Sequence, residues 1–352
     1  MRKWILNIHL ALGIVAGAFV ALLGVTGGIL AFEPELERLS HHNISYVEPG
    51  GRALSLAEIG NAISRKYPGE EIVAYLPSTN PRFPARVILS RGIISVNQYT
   101  GQILGVRTRG QSFLGTVRAL HVRLAMGSEG PFILKWSSLA VVLLLFSGLY
   151  LWWPVKRMRV GGRWWSARFC YDLHSSIGFF SLLSVLALAA TGTMIGFEEQ
   201  VTRFMDKMSP PGASEHDRVR PVAKPDAVPL LGPDQAVAFA TAQLPGAIPY
   251  RVQMPGYGGF YVVAFAYPQK RIAGEQNFIS LDPTSGRIVS AHLSSQLSFR
   301  VRLLAATGAI HDGSIWGMPS RVVAALASIL LPIQALSGLL IWLRRKRILS
   351  TR

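Results

Sequence analysis

Cysteine is almost absent from this chain: Cys170 is the only one in 352 residues. Disulfides therefore hold no part of it together. No Cys-x-x-Cys-His run occurs, which excludes covalently attached c-type haem, and no cysteine cluster exists for an iron–sulfur or zinc centre. Acidic side chains are scarce as well, 19 against 36 lysines and arginines, leaving a formal charge of +17. No glycine-rich phosphate loop occurs, so nothing argues for a nucleotide site.

Long apolar runs are plentiful. Half of the residues are hydrophobic, and mean hydropathy is +0.32. Residues 4–32, 133–153, 173–197 and 322–343 each match the roughly 20 apolar residues that cross a bilayer. None of these runs has Asp or Glu in its interior. The first exceeds the core of a signal peptide, about 7–15 residues, and is expected to be retained as a span. The positive charge is not spread in the manner of a nucleic-acid binder. Twelve basic residues lie at the two ends and in the loop after the second run: Arg2, Lys3, Lys156, Arg157, Arg159, Arg163, Arg168, Arg344, Arg345, Lys346, Arg347 and Arg352. Only Asp172 opposes them. Residues 33–131 and 198–320 are close to neutral, with eleven basic residues each against eight and ten acidic ones. The positive-inside rule then predicts both termini and the basic loop inside, with the two neutral segments outside.

The two halves of the chain repeat each other. At an offset of 165, His9 matches His174, Gly13 matches Gly178, Thr26-Gly27 matches Thr191-Gly192, and Phe32-Glu33 matches Phe197-Glu198. At an offset of 190, His121 matches His311 and Ser147-Gly148 matches Ser337-Gly338. Each neutral segment begins with a predicted helix, over residues 55–67 and from Gly232 to Leu244. Ser55 and Glu58 form a capping box for the first. Four strand-like runs follow in each, with hairpin turns at Gly101 and Gly286. Residues 208–229 read as a linker. The repeats have the same orientation, which brings matched residues face to face across an axis along the membrane normal.

Imidazole is costly in hydrocarbon, so histidines at membrane spans suggest a site. His9 and His174 lie at one depth, and His121 and His311 at another. Such pairs suit the two axial positions of a haem iron. Gly13 and Gly178 lie one turn from His9 and His174 on the same helix face, where a porphyrin needs room. A divalent-metal transporter is the rival use of the same imidazoles, although it also wants carboxylates inside the membrane. His41, His42, His216 and His292 have no repeat partners and read as surface residues, with His41 or His42 as reserve ligands. Glu33 and Glu198 read as helix-end carboxylates paired with arginine, or else as contacts beside the outer site. Trp152, Trp153 and Trp342 read as an interfacial aromatic belt. Arg118, Arg123 and Arg302 meet either haem propionates or lipid headgroups.

The motifs WILNIHLALGI, YDLHSSIGFF, TGGILAFE, TGTMIGFE and SGLYLWWP, with the YTG and DPTSG turns, resemble the PepSY-associated transmembrane family. That family includes iron-regulated inner-membrane proteins and ferric-siderophore reductases of the ferrioxamine-reductase kind. The resemblance covers nearly the whole chain. It implies an integral membrane α-helical protein of four transmembrane helices with an internal two-fold repeat and two small α+β periplasmic PepSY-like domains. The expected division is a first span (1–32), a first PepSY-like domain (33–110), an interfacial helix plus second span (111–153) and a basic cytoplasmic loop (154–172). A third span (173–197), a linker plus second domain (198–295), an interfacial helix plus fourth span (296–343) and a basic tail (344–352) follow. The family pattern places haem ligands on His9, His174 and His121. His311 follows by internal symmetry, although its AIHDGSIWGMP context departs from the usual Leu-His. The expected protein carries two haem b in the bacterial inner membrane. It passes electrons from a cytoplasmic or quinol donor to a periplasmic ferric chelate, such as a ferric siderophore, and binds no nucleic acid. A regulatory membrane protein acting on a periplasmic peptidase is the alternative of a different class.

Overall fold

The structure is a computed structural model, and it describes residues 1–107, 112–156, 158–208, 231–256, 259–267, 277–294 and 299–350. The expected linker lies outside the described residues, except for Met208. In chain order the elements are α1 (Arg2–Leu30), α2 (Glu33–Ser40), α3 (His42–Ser45), α4 (Leu56–Lys66), β1 (Ile72–Leu76), β2 (Ala85–Leu89), β3 (Gly92–Val96) and β4 (Ile103–Arg107). Next come α5 (Phe113–Arg123), α6 (Gly130–Trp152), α7 (Ala167–Phe180), α8 (Leu182–Gly196), α9 (Glu198–Met208) and α10 (Pro233–Thr241). The chain closes with β5 (Ile248–Gln253), β6 (Tyr261–Ala266), β7 (Asn277–Leu281), β8 (Ile288–His292), α11 (Phe299–His311) and α12 (Met318–Ser350). These elements fall into two compact units. One comprises Met1–Glu33, Phe113–Met205 and Ala306–Arg352; the other comprises Pro34–Ser112 and Asp206–Ala305.

The first unit is all helix. Three of its helices, α1, α6 and α12, are long and apolar enough to cross a membrane. The pair α7 and α8 supplies a fourth crossing if taken as one span, but it bends by 68°. Sequence periodicity predicts one straight run over 173–197. Two serines account for the difference. Ser166 caps α7 by accepting from the Phe169 N–H at 3.1 Å, which starts the helix early. Ser181, at the break, donates its hydroxyl back to the Ile177 carbonyl at 2.8 Å, and such back-bonding bends helices. Helices α1 and α12 meet at closest range near Gly24. Pro332 lies inside α12 and offers no N–H, so the Ser328 carbonyl is released from the helical ladder. A Cβ on Gly24 would lie 2.5 Å from that oxygen, and one on Gly28 would lie 3.1 Å from Ile329. This small-xxx-small spacing is the usual device for close packing of membrane helices. Ala16, Val20, Val141, Val185, Ala189 and Ala327 form the apolar centre of the unit. The C-terminal end of α1 is capped from α12: the Arg321 guanidinium donates to the Ala31 carbonyl through Nε at 2.8 Å and also through Nη2. A cation there also answers the negative end of the helix dipole.

The second unit is built on an antiparallel sheet of eight strands in the order β4-β3-β2-β1-β5-β6-β7-β8. Where two separate modules were expected, β1 pairs with β5 and joins two four-stranded meanders into one sheet. Unpaired edges at β1 and β5 would otherwise each expose a row of backbone groups. One core serves both halves, with Ile59, Ile63, Val87, Ile94, Val252, Tyr261, Phe265 and Ile279 all buried. Burial pushes the Tyr75 phenol up to about 12. The predicted capping box of α4 is present, with Ser55 and Glu58 each accepting from the other's backbone N–H. Asp234, at the start of α10, accepts from the N–H groups of Leu56 and Ala57 at 2.7 and 2.9 Å. The two helices are thereby tied at their N-termini. Gly101 and Gly286 both take positive φ, +74° and +71°, at the expected hairpin turns.

Candidate cofactor site

Four histidines of the helical unit are gripped in the same way. A Ser or Thr followed by Gly, on a neighbouring helix, meets each ring. His9 Nδ1 lies 2.9 Å from Ser147 Oγ, and His121 Nδ1 lies 2.9 Å from Thr26 Oγ1. His174 Nδ1 lies 3.1 Å from Ser337 Oγ, and His311 Nδ1 lies 3.1 Å from Thr191 Oγ1. The glycine after each hydroxyl makes room for the ring edge. A Cβ on Gly27, Gly148, Gly192 or Gly338 would sit 3.1, 3.3, 3.0 or 3.1 Å from Cε1 of His121, His9, His311 or His174. Residue for residue, the grip is built within each half of the chain.

The hydrogen bonding determines which ring nitrogen carries the proton. Each hydroxyl donates its own proton to a carbonyl of its own helix: Thr26 to Leu22 at 2.7 Å, Ser147 to Leu143 at 2.7 Å, Thr191 to Ala187 at 2.6 Å and Ser337 to Gln334 at 3.0 Å. The hydroxyl oxygen therefore accepts from Nδ1–H. Backbone carbonyls give the same answer, because a carbonyl only accepts. Gln334 O lies 3.0 Å from His174 Nδ1, and Leu188 O lies 3.0 Å from His311 Nδ1. All four rings are thus Nδ1–H tautomers, and the Nε2 lone pair is left available. Burial, reinforced by the neighbouring His311, lowers His121 to about 4, and burial also lowers His311.

The rings come together as two pairs, each taking one histidine from each half of the chain. His9 and His174 have ring centroids 6.3 Å apart and planes at 88°. His121 and His311 have centroids 6.2 Å apart and planes at 47°. An imidazole nitrogen sits about 2 Å from a bound first-row metal ion, with its ring centre roughly 1 Å further back, so two rings on opposite sides of one ion stand roughly 6 Å apart. Both pairs meet that spacing. Two neutral imidazoles alone do not complete a structural zinc site, which takes four protein ligands. Among the described residues no group of three or more His, Cys, Asp and Glu gathers to hold a metal ion. Two imidazoles do complete a haem, whose macrocycle supplies the other four nitrogens. Along α1 the two pairs are well separated. Thr26, which meets His121 of the second pair, lies seventeen residues beyond His9, about 25 Å at the helical rise.

A family model described as the PepSY-associated TM region matches residues 6–345. The chain belongs to the PepSY-associated transmembrane family. Among curated proteins none matches it. As a member of that family it is a membrane protein, in keeping with its apolar helices.

Other residues singled out in the sequence are placed as follows. A Cβ on Gly13 would be in ordinary contact range of Leu144, 3.9 Å from its Cδ2, whereas a Cβ on Gly178 would meet the Gln334 amide nitrogen at 2.7 Å. Gly178 thus makes room for Gln334, which donates to the His174 carbonyl at 3.0 Å. Arg118 is ion-paired with Glu33, with Nε 3.2 Å from Oε1. Arg123 and Arg302 are exposed, and Glu198 is exposed in the first turn of α9. Trp152 is buried and stacked on Phe179 at 4.3 Å, while Trp153 is 60% exposed. His41 and His42 belong to the other unit. His42 packs on Tyr46 and His292 stacks on Phe278, while His216 lies outside the described residues. The sequence reading missed what the repeated Ser/Thr-Gly pairs do. Their signal was present: Thr-Gly follows His9 and His174 by seventeen residues, and Ser-Gly follows His121 and His311 by twenty-six.

Proposed function

We propose that this protein is a dihaem b oxidoreductase of the bacterial cytoplasmic membrane that passes electrons outward to a periplasmic ferric chelate, a siderophore. The observation that carries the reading is the two histidine pairs at 6.3 and 6.2 Å, each ring presenting Nε2. His9 and His174 would hold one haem, and His121 and His311 the other, the two ligands of each haem being related by an internal two-fold repeat. Haem supplies reversible one-electron transfer when bound. The residues of the chain bind and orient: hydroxyls hold the rings, and the apolar helices exclude water from the first pair. Charge supports the direction. The basic loop and tail lie on the cytoplasmic side by the positive-inside rule, which puts the sheet unit, read as two PepSY-like halves, in the periplasm. Each ferric ion takes one electron. A quinol or reduced flavoprotein would supply them, a quinol serving two ferric ions and releasing two protons. Ferrous iron is a weaker partner for the hard oxygen ligands of a siderophore, so reduction loosens the chelate.

A pyridine haemochrome assay on purified, quantified protein tests the reading. Two b-type haems per chain are expected, low-spin in the visible spectrum. Protein from haem-replete cells that carries almost none overturns it.

A further inference from the structure

We propose that Thr26-Gly27, Ser147-Gly148, Thr191-Gly192 and Ser337-Gly338 are positioning residues that set the tautomer and tilt of the four histidines and tune the potential of each haem separately. The second part rests on the dihaem reading; the first does not. Hydroxyl residues in membrane helices commonly bond back to their own carbonyls, and glycines commonly serve helix packing. Neither habit explains why the two sit side by side, four times, each against an imidazole. The hydroxyl spends its proton on its own helix, so its oxygen offers only acceptance to the ring. At two of the rings the carbonyl three residues before the hydroxyl joins it: Gln334 O at His174 and Leu188 O at His311, each at 3.0 Å. The glycine then sets how closely the ring edge lies, since a Cβ in its place would stand 3.0 to 3.3 Å from Cε1 and push the ring away. One pair of rings is held by two threonines and the other by two serines, so each pair can be altered without touching the other.

The chemistry follows from the direction of the hydrogen bond. A ligating imidazole that donates its other N–H becomes a more basic ligand. A more basic ligand favours ferric over ferrous iron and so lowers the potential. Weakening the acceptor does the reverse.

The test is a potentiometric titration of purified holoprotein, followed by visible spectra, with paired variants. Thr26→Val keeps the side-chain shape and removes the acceptor; Thr26→Ser keeps the acceptor. Thr26→Val is expected to raise one midpoint and leave the second in place. Ser147→Ala is expected to raise the second and leave the first. Thr26→Ser is expected to restore the wild-type value. If Thr26→Val releases one haem instead, recovery of that haem in Thr26→Ser supports the assignment, and its loss in both variants overturns it. Unchanged midpoints in Thr26→Val and Ser147→Ala with both haems retained also overturn the tuning role. The tautomer is measured without haem, by nitrogen-15 spectra of histidine-labelled apoprotein. A proton on Nδ1 in wild type is expected, and a proton on Nε2 overturns the inference whatever the haem content. A haem-free wild type with Nδ1–H rings would sink the dihaem reading and leave the grip on the rings standing.

Discussion

At the scale of the residue, the structure turns on where one proton sits. An imidazole ligates through whichever nitrogen lacks the proton, and here the Nδ1 side meets a hydroxyl in all four rings and also a carbonyl in His174 and His311. The four histidines were legible because they repeat at constant offsets. The Ser/Thr-Gly pairs repeat as well, but which histidine each one meets was not legible, because Ser147 stands 138 residues from His9 and Thr191 stands 120 from His311. Sequence spacing does not say which helix faces which. His9→Ala or His174→Ala is expected to lower haem content from two to one per chain, with the remaining haem assigned to His121 and His311. His121→Ala or His311→Ala is expected to do the converse. Pyridine haemochrome content and the number of redox midpoints report both. A His311→Ala protein that retains two haems would mean that the AIHDG segment is not a ligand segment.

At the scale of the element, close approach and turn chemistry decide the form. The α1–α12 contact depends on Gly24 because Pro332 leaves the Ser328 carbonyl facing it. Gly24→Ala would force a Cβ against a backbone oxygen that has no freedom to move. The expected cost is about 1–3 kcal/mol at least, typical of an overpacked core, read as a lower thermal midpoint in detergent. An unchanged midpoint would show that the helices separate freely there. In the β7–β8 turn, the Thr284 hydroxyl and the N–H groups of Ser285 and Thr284 hold the Asp282 carboxyl well below its ordinary range. A depressed carboxyl contributes stability above its unfolded value, about 3.9, and loses it as pH falls. Amide exchange at Thr284 and Ser285 is therefore expected to be slow near neutral pH and to lose protection in acid. Asp282→Ala should show weak protection at both. The helix and strand runs of this unit were legible from alternation and from Ser55, Gly101 and Gly286. The bend at Ser181 was not, since a serine inside an apolar run is compatible with a straight helix until its hydroxyl partner is known.

At the scale of the whole molecule, charge and topology give a direction. The two ends and the loop 154–172 hold +11 of the +17 charge, and the proposed outward direction rests on the positive-inside rule applied to them. Reduced protein in detergent is expected to reoxidise on addition of a ferric hydroxamate, with ferrous iron appearing in step and trapped by ferrozine. In proteoliposomes loaded with an inner donor, His9→Ala and His121→Ala should each abolish that flow, because one haem does not bridge a bilayer core of about 30 Å. Reduced protein that ignores ferric chelates while reacting quickly with another periplasmic oxidant would keep the two-site arrangement and discard the ferric substrate.

The sequence by itself determined the membrane class, the four apolar runs, the repeat and the identity of four candidate ligands. Those properties are written in composition and in constant spacing, which need no knowledge of packing. The pairing of His9 with His174 and of His121 with His311 was expected from the repeat; only the tertiary structure decided how close the rings come, 6.3 and 6.2 Å between centroids. It alone showed that the two strand sets merge through β1 and β5, because an unpaired edge is satisfied by whichever edge folding brings to it. It also decided that the Ser/Thr-Gly repeats serve the histidines, since a hydrogen bond across more than a hundred residues exists only once the helices have packed.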